Sequence, residues 1–171
     1  MPRDLTERVA WTFAVAVRLP PFQSLLDAHG SDLHRFLVAS AGPHDGDDLF
    51  QETVLSALRA YPGLRHAENL RGWLFTIAHR KIVDGARGRS RRPVPAADPP
   101  EVAQVDGDGL VDAELWEAVR RLAPKQRSAV VQRYLFDRPY AEIGAVIGCS
   151  EAAARQNVRA GLHRLRQEVT P

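Results

Sequence analysis

Residues 139–167 read PYAEIGAVIGCSEAAARQNVRAGLHRLRQ, two apolar-periodic runs separated by Gly148, Cys149 and Ser150. Pro139 suits a first helical turn, and Ile143, Ala145, Val146 and Ile147 follow before Gly148 supplies the permissive backbone of a tight turn. Ser150 stands where it can cap the next helix. In that helix Ala154, Val158, Leu162 and Leu165 recur at i, i+4, i+8 and i+11, a narrow stripe for packing. The opposite face carries Arg155, Gln156, Arg159, His163 and Arg166. Such side chains meet phosphates, and Arg and Gln hydrogen-bond base edges in a major groove. A short helix, a glycine turn, a serine cap and a longer basic helix make a helix-turn-helix arrangement. An amphipathic helix with a solvated cationic face has the same pattern, so the stretch by itself leaves two readings open.

Upstream of it, Leu115, Val119 and Leu122 space one helix, and Pro124 opens another that carries Val130, Val131, Tyr134 and Leu135 as apolar positions. Before these, residues 91–110 concentrate Pro, Gly and Asp with few large apolar side chains and predict a flexible linker. Nearer the start, Phe22, Leu25, Leu26, Leu33, Phe36 and Leu37 recur as one helical face, with Gly30 a local break. GPHDG interrupts the chain at 42–46, and a second helix follows with Phe50, Val54, Ala57 and Tyr61 on one face. Asn69 caps a third helix bearing Leu70, Trp73, Leu74, Ile77 and Ala78. No strand alternation and no internal repeat is present, so the expected fold is all-α: two small helical domains joined by a flexible acidic linker. Expected boundaries are a helical N-terminal extension at 1–21, a first domain at 22–92, the linker at 93–110 and a helix-turn-helix domain at 111–171.

Charge is distributed in blocks. The formal net charge is only +2, yet RKIVDGARGRSRR at 80–92 is strongly basic, while 93–119 holds no Lys or Arg and seven acids. A lone cysteine, Cys149, excludes an intramolecular disulfide and argues against a thiolate zinc site. It reads as a small core residue in the turn. RVAWTFAVAVRLP at 8–20 is too short and too polar for a membrane span, and no cleavage signal follows it. The reading is of a cytoplasmic protein without membrane insertion.

Four ordered segments bear a family resemblance. DGDDLFQETVLSAL at 45–58 resembles the polymerase-binding segment of bacterial sigma factors of the extracytoplasmic-function (ECF) class. LRGWLFTIAHRKIVDGARGRSRR at 70–92 resembles the helix with which that family melts promoters and reads the minus-ten element. LWEAVRRLAPKQRSAVVQRYLFDRPYAEIGAVIGCS at 115–150 and the helix after it resemble its C-terminal domain. The resemblance implies core polymerase contacts at Asp48, Gln51 and Glu52, which lie at i, i+3 and i+4 as an acidic patch beside an apolar face. It implies minus-ten contacts at Trp73, His79, Arg80, Lys81, Asp84, Arg87 and Arg91, where cation density suits phosphate contact and Trp73 or Phe75 can stack on unpaired bases. It implies minus-thirty-five contacts at Ser150, Arg155, Gln156, Arg159 and His163. Core RNA polymerase and promoter DNA are the implied partners, with an anti-sigma factor as a further one, and no cofactor is implied. Where many members show Thr-Val-Lys-Ser-Arg, this chain has Ala153, Ala154, Arg155, Gln156 and Asn157, so the target sequence does not carry over.

Two other functions compete. HDGDD at 44–48 gathers groups that can hold a metal or move a proton, but no second ligand cluster, phosphate loop or nucleophile motif accompanies it. A free-standing helix-turn-helix regulator would use the C-terminal pair alike. It gives no role to the acidic Gln-Glu-Thr helix.

Overall fold

The computed structural model describes residues 19–65, 67–91 and 113–169, the last four residues of the second span by backbone alone. Helices α1 (Phe22–Ala41), α2 (Pro43–Ala60) and α3 (Leu70–Arg91) form the first group, with a single 3-10 turn at Tyr61–Gly63 between α2 and α3. Helices α4 (Ala113–Arg121), α5 (Pro124–Leu135), α6 (Tyr140–Ile147) and α7 (Glu151–Val169) form the second. No strand occurs among the described residues, which is the all-α architecture expected. Among them, too, no helix is long and apolar enough to cross a membrane. The expected extension (up to residue 18) and the linker at 93–110 lie outside the described residues.

Local signals account for most of the helix ends. Asn69 Oδ1 accepts from the Gly72 N–H at 2.8 Å, the expected cap of α3. Pro124 stands at the start of α5, where its missing N–H is no loss. Three expectations are corrected. Gly30 does not break α1, because a glycine costs a helix only about 1 kcal/mol and Leu25, Leu33, Phe36 and Leu37 are buried on both sides of it. GPHDG is not a loop: only Gly42, at φ 89°, interrupts the chain, and α2 starts on Pro43. Pro139 precedes α6 in extended conformation, and the helix begins at Tyr140.

The two groups pack on each other around one continuous apolar core that includes Phe36, Leu74, Phe75, Ile82, Val131, Ile143 and Val158. Burial of an aromatic such as Phe75 contributes about 3 kcal/mol, and its ring is wedged between Phe36 at 5.3 Å and Phe136 at 6.0 Å. Polar contacts fix the junction. Arg127 Nη1 donates to the Ser40 carbonyl at 2.7 Å and to the Arg120 carbonyl at 2.9 Å. Arg138 lies over the Phe75 ring at 5.4 Å. Two apolar expectations in the second group are reversed: Tyr134 is 64% exposed and Leu115 37% exposed, while Trp116 turns toward the core instead. Cys149 is half-buried against the core, as read.

Candidate nucleic-acid interface

Helix α7 is positioned by the turn before it. Gly148 takes φ 68°, a left-handed conformation that only glycine adopts cheaply, and the Cys149 N–H bonds the Gly144 carbonyl at 2.9 Å. Ser150 Oγ accepts from the Ala153 N–H at 3.2 Å and so caps α7. One face of α7, with Ala154, Val158, Gly161 and Leu165, is buried. At Gly161 the helices approach so closely that a Cβ would stand 2.7 Å from Val130 Cγ2. The register of α7 against α5 is therefore fixed, and Arg155, Gln156, Arg159, His163 and Arg166 are all left exposed.

From Arg155 to Arg166 this face extends about 16 Å along the axis. Arg155, Arg159 and Arg166 line a recess of about 450 Å³ with Tyr134 and Tyr140. Asn157 does not join them, because its amide donates to the Ala153 carbonyl at 2.8 Å. Several cations are pre-positioned by acids: Arg155 by Glu151 at 2.9 Å, and Arg121 of α4 by Glu168 of α7 at 3.1 Å. The first is an i, i+4 pair within α7, and the second ties the end of α7 to α4.

On α3 the expected residues divide between surface and core. Arg80, Asp84 and Arg87 are exposed, and with Val83 they line a recess of about 360 Å³ opposite Lys125 of α5, Ala145–Ile147 of α6 and Gly148 after it. Lys81 is paired across to Glu52 of α2 at 3.4 Å. Trp73 is half-buried with its ring 6.0 Å from Tyr61. Phe75, read as a base-stacking candidate, is 1% exposed and belongs to the core. His79 is 4% exposed and shares a 2.8 Å hydrogen bond between Nδ1 and Ser128 Oγ. Both face inward because the second helix group covers that side of α3. Burial, reinforced by Lys125, Arg127 and Arg80, lowers the His79 pKa to about 4, so the ring is neutral at physiological pH. Arg91 ends α3, and its side chain lies outside the described ones.

On α2, Asp48, Gln51 and Glu52 are exposed together. The sequence reading missed that this stripe continues into Leu55 and Leu58, 52% and 48% exposed. Their signal was available: both fall off the Phe50, Val54, Ala57 and Tyr61 face, where a solvated helix would carry polar residues. The HDGDD segment is dispersed, with Asp47 bonded to His34 Nε2 at 2.6 Å. Among the described residues no three His, Cys, Asp or Glu side chains are grouped to hold a metal ion.

Comparison with known proteins identifies the family. The family model for Sigma-70 region 2 matches residues 25–92, and that for Sigma-70 region 4 matches residues 112–165. RNA polymerase sigma factor CarQ of Myxococcus xanthus is 30% identical over 158 residues, covering 85% of this chain and 87% of CarQ. ECF RNA polymerase sigma factor SigF of Caulobacter vibrioides is 31% identical over 132 residues, 76% of this chain and 74% of SigF. ECF RNA polymerase sigma factor SigE of Mycolicibacterium smegmatis is 31% identical over 160 residues and 86% of this chain. The chain spans 61% of the length of SigE and 48% of that of SigG from Mycobacterium tuberculosis. In fold, the chain is similar to the sigma factor RpoE in its complex with the anti-sigma factor NepR from Bartonella quintana, at TM-score 0.74 and 21% identity over 86% of this chain and 96% of RpoE. It is similar also to CnrH in complex with the cytosolic domain of CnrY, at TM-score 0.60 and 21% identity over 85% of each chain. With both sigma regions in order on one helical chain, and CarQ and SigF matched over 87% and 74% of their length, this protein belongs to the ECF class of bacterial RNA polymerase sigma factors.

Proposed function

We propose that this chain binds core RNA polymerase and directs it to specific promoters in the cytoplasm, with no catalytic step of its own. One observation carries the reading: α2 presents Asp48, Gln51 and Glu52 beside the exposed Leu55 and Leu58, a docking face that a DNA-only binder has no use for. The first domain (22–92) would hold the polymerase through this face and meet the minus-ten element through Arg80, Lys81, Asp84, Arg87 and Arg91, with Trp73 at its edge. The second (111–171) would read the minus-thirty-five element through Ser150, Arg155, Gln156, Arg159 and His163.

The two elements lie about 25 base pairs apart, roughly 85 Å of B-DNA. No chain with its two helix groups packed together spans that distance, so engaging both elements requires the groups to separate. His79, buried at the junction, becomes available to DNA only in that open form. Helices that release each other in this way offer a surface that an anti-sigma factor can hold shut, and the sigma factor RpoE, of similar fold, was solved with the anti-sigma factor NepR.

The test is co-migration of the purified chain with core polymerase on size exclusion. Wild type should co-migrate, and Asp48→Arg should weaken the association while retaining its fold. Tight binding of duplex DNA by the chain alone, with no association with core enzyme, would favour a free-standing regulator.

A further inference from the structure

The recess on the outer face of the second helix group is built around an aromatic ring that none of the expected contacts includes. Tyr140, the first residue of α6, is half-buried. The Arg155 guanidinium lies over its ring at 4.9 Å from the centroid, and the Arg133 guanidinium lies at 5.3 Å. Arg133 is itself fixed, donating to Asp137 Oδ1 at 2.9 Å and to the Arg138 carbonyl at 3.0 Å. The ring is therefore held by α6 at its base and by an anchored cation beside it. Arg155 is held from a second direction by Glu151 Oε1 at 2.9 Å.

A free arginine on a helix surface samples many rotamers and loses that freedom when it engages a base, a cost set against binding. An aromatic face and a carboxylate that confine the guanidinium beforehand reduce the cost. They favour a base edge that takes the fork bidentately over a phosphate that accepts it from any side. We propose that Tyr140, assisted by Glu151, is a positioning residue that aims Arg155 and thereby sets the base preference read by α7. The inference rests on the reading of α7 as the helix that meets upstream promoter DNA. Tyr140 acts through its ring face, so its hydroxyl is dispensable for this role.

The experiment is transcription by the full chain with core polymerase from a template library randomised across the upstream element, with initiation counted for each sequence. Arg155→Ala first defines which positions Arg155 reads. Tyr140→Phe, which keeps the ring face, should reproduce the wild-type preferences. Tyr140→Leu should weaken discrimination about 2- to 5-fold, the scale of one exposed cation–π contact, at the positions that Arg155→Ala defines and nowhere else. The double variant should match Arg155→Ala alone. Glu151→Gln, a surface change remote from the core, should flatten the same positions and covers the case in which Tyr140→Leu fails to fold. The proposal is overturned if Tyr140→Leu and Arg155→Ala combine multiplicatively, if Tyr140→Phe behaves as Tyr140→Leu, or if neither Tyr140→Leu nor Glu151→Gln touches those positions. Should Arg155→Ala leave every preference intact, the reading of α7 falls and the inference with it. A preference that Arg155→Ala alters but neither supporting variant touches overturns the inference alone.

Discussion

Acid should open the junction between the two helix groups, and His79 sets the size of the effect. The ring is buried between α3 and α5 against Ser128, with Lys125, Arg127 and Arg80 as its charged neighbours, and its pKa is lowered from 6.5 to about 4. Separated groups would return the ring to water and to its ordinary value. The packed form therefore holds His79 neutral, and below pH 6.5 the open form takes up a proton that the packed form refuses. Packing keeps its full advantage above pH 6.5 and loses it as pH falls toward 4. Between pH 7.5 and pH 5.0 the two titrations differ by about 2 kcal/mol, roughly a 30-fold shift toward the open form. The assay is energy transfer between dyes on cysteines introduced at the exposed Gln23 and Gln167, in a Cys149→Ser background. The urea midpoint for loss of transfer should fall on going from pH 7.5 to pH 5.0, and His79→Gln, which keeps a neutral hydrogen-bonding group, should flatten the response. A wild-type urea midpoint that stays constant down to pH 5.0, or an identical acid response in His79→Gln, would refute the reasoning.

Other perturbations read other parts of the structure. Arg127→Met removes the donor to the Ser40 and Arg120 carbonyls. It should loosen the packed form by about 1–3 kcal/mol, seen as lower energy transfer at neutral pH. Gly161→Val forces a side chain into Val130 and should cost about 2 kcal/mol, a fall in Tm of roughly 4–8 °C for a chain of this size. Asp48→Arg should weaken core polymerase binding by about 2 kcal/mol, near 30-fold in Kd, whatever the promoter. Arg155→Ala or Gln156→Ala should relax base discrimination at the minus-thirty-five element by about 1–3 kcal/mol per contact with core binding unchanged. Lys81→Ala should alter stability by less than about 1 kcal/mol, because its partner Glu52 is exposed and solvent screens the pair.

Features written in a few adjacent residues were legible in the sequence. The Asn69 and Ser150 caps, the Gly148 turn and the Pro124 start all formed as read, because each is decided within one helical turn. The core stripe of α7 was equally plain, since Ala154, Val158 and Leu165 pack on neighbours from their own half. Phe75 and His79 were not legible in this way. Their burial is completed by Phe136 and Ser128, 61 and 49 positions away, and no periodicity within α3 announces a cover from a second helix group. Tyr134 misled in the opposite sense: it falls in an apolar run yet borders the arginine-lined recess. Leu55 and Leu58 carry the complementary lesson, that an apolar residue off the core face reports a partner the chain does not itself contain.

The central claim, that this chain is the promoter-selecting subunit of a polymerase, is tested most directly by transcription from a randomised promoter library with core enzyme, with and without the chain. Initiation should depend on the chain, should select two sequence elements separated by a fixed spacing, and should fall alike across the whole library with Asp48→Arg at limiting concentration. Initiation that the chain does not change, together with tight sequence-specific binding to duplex DNA in the absence of polymerase, would contradict it.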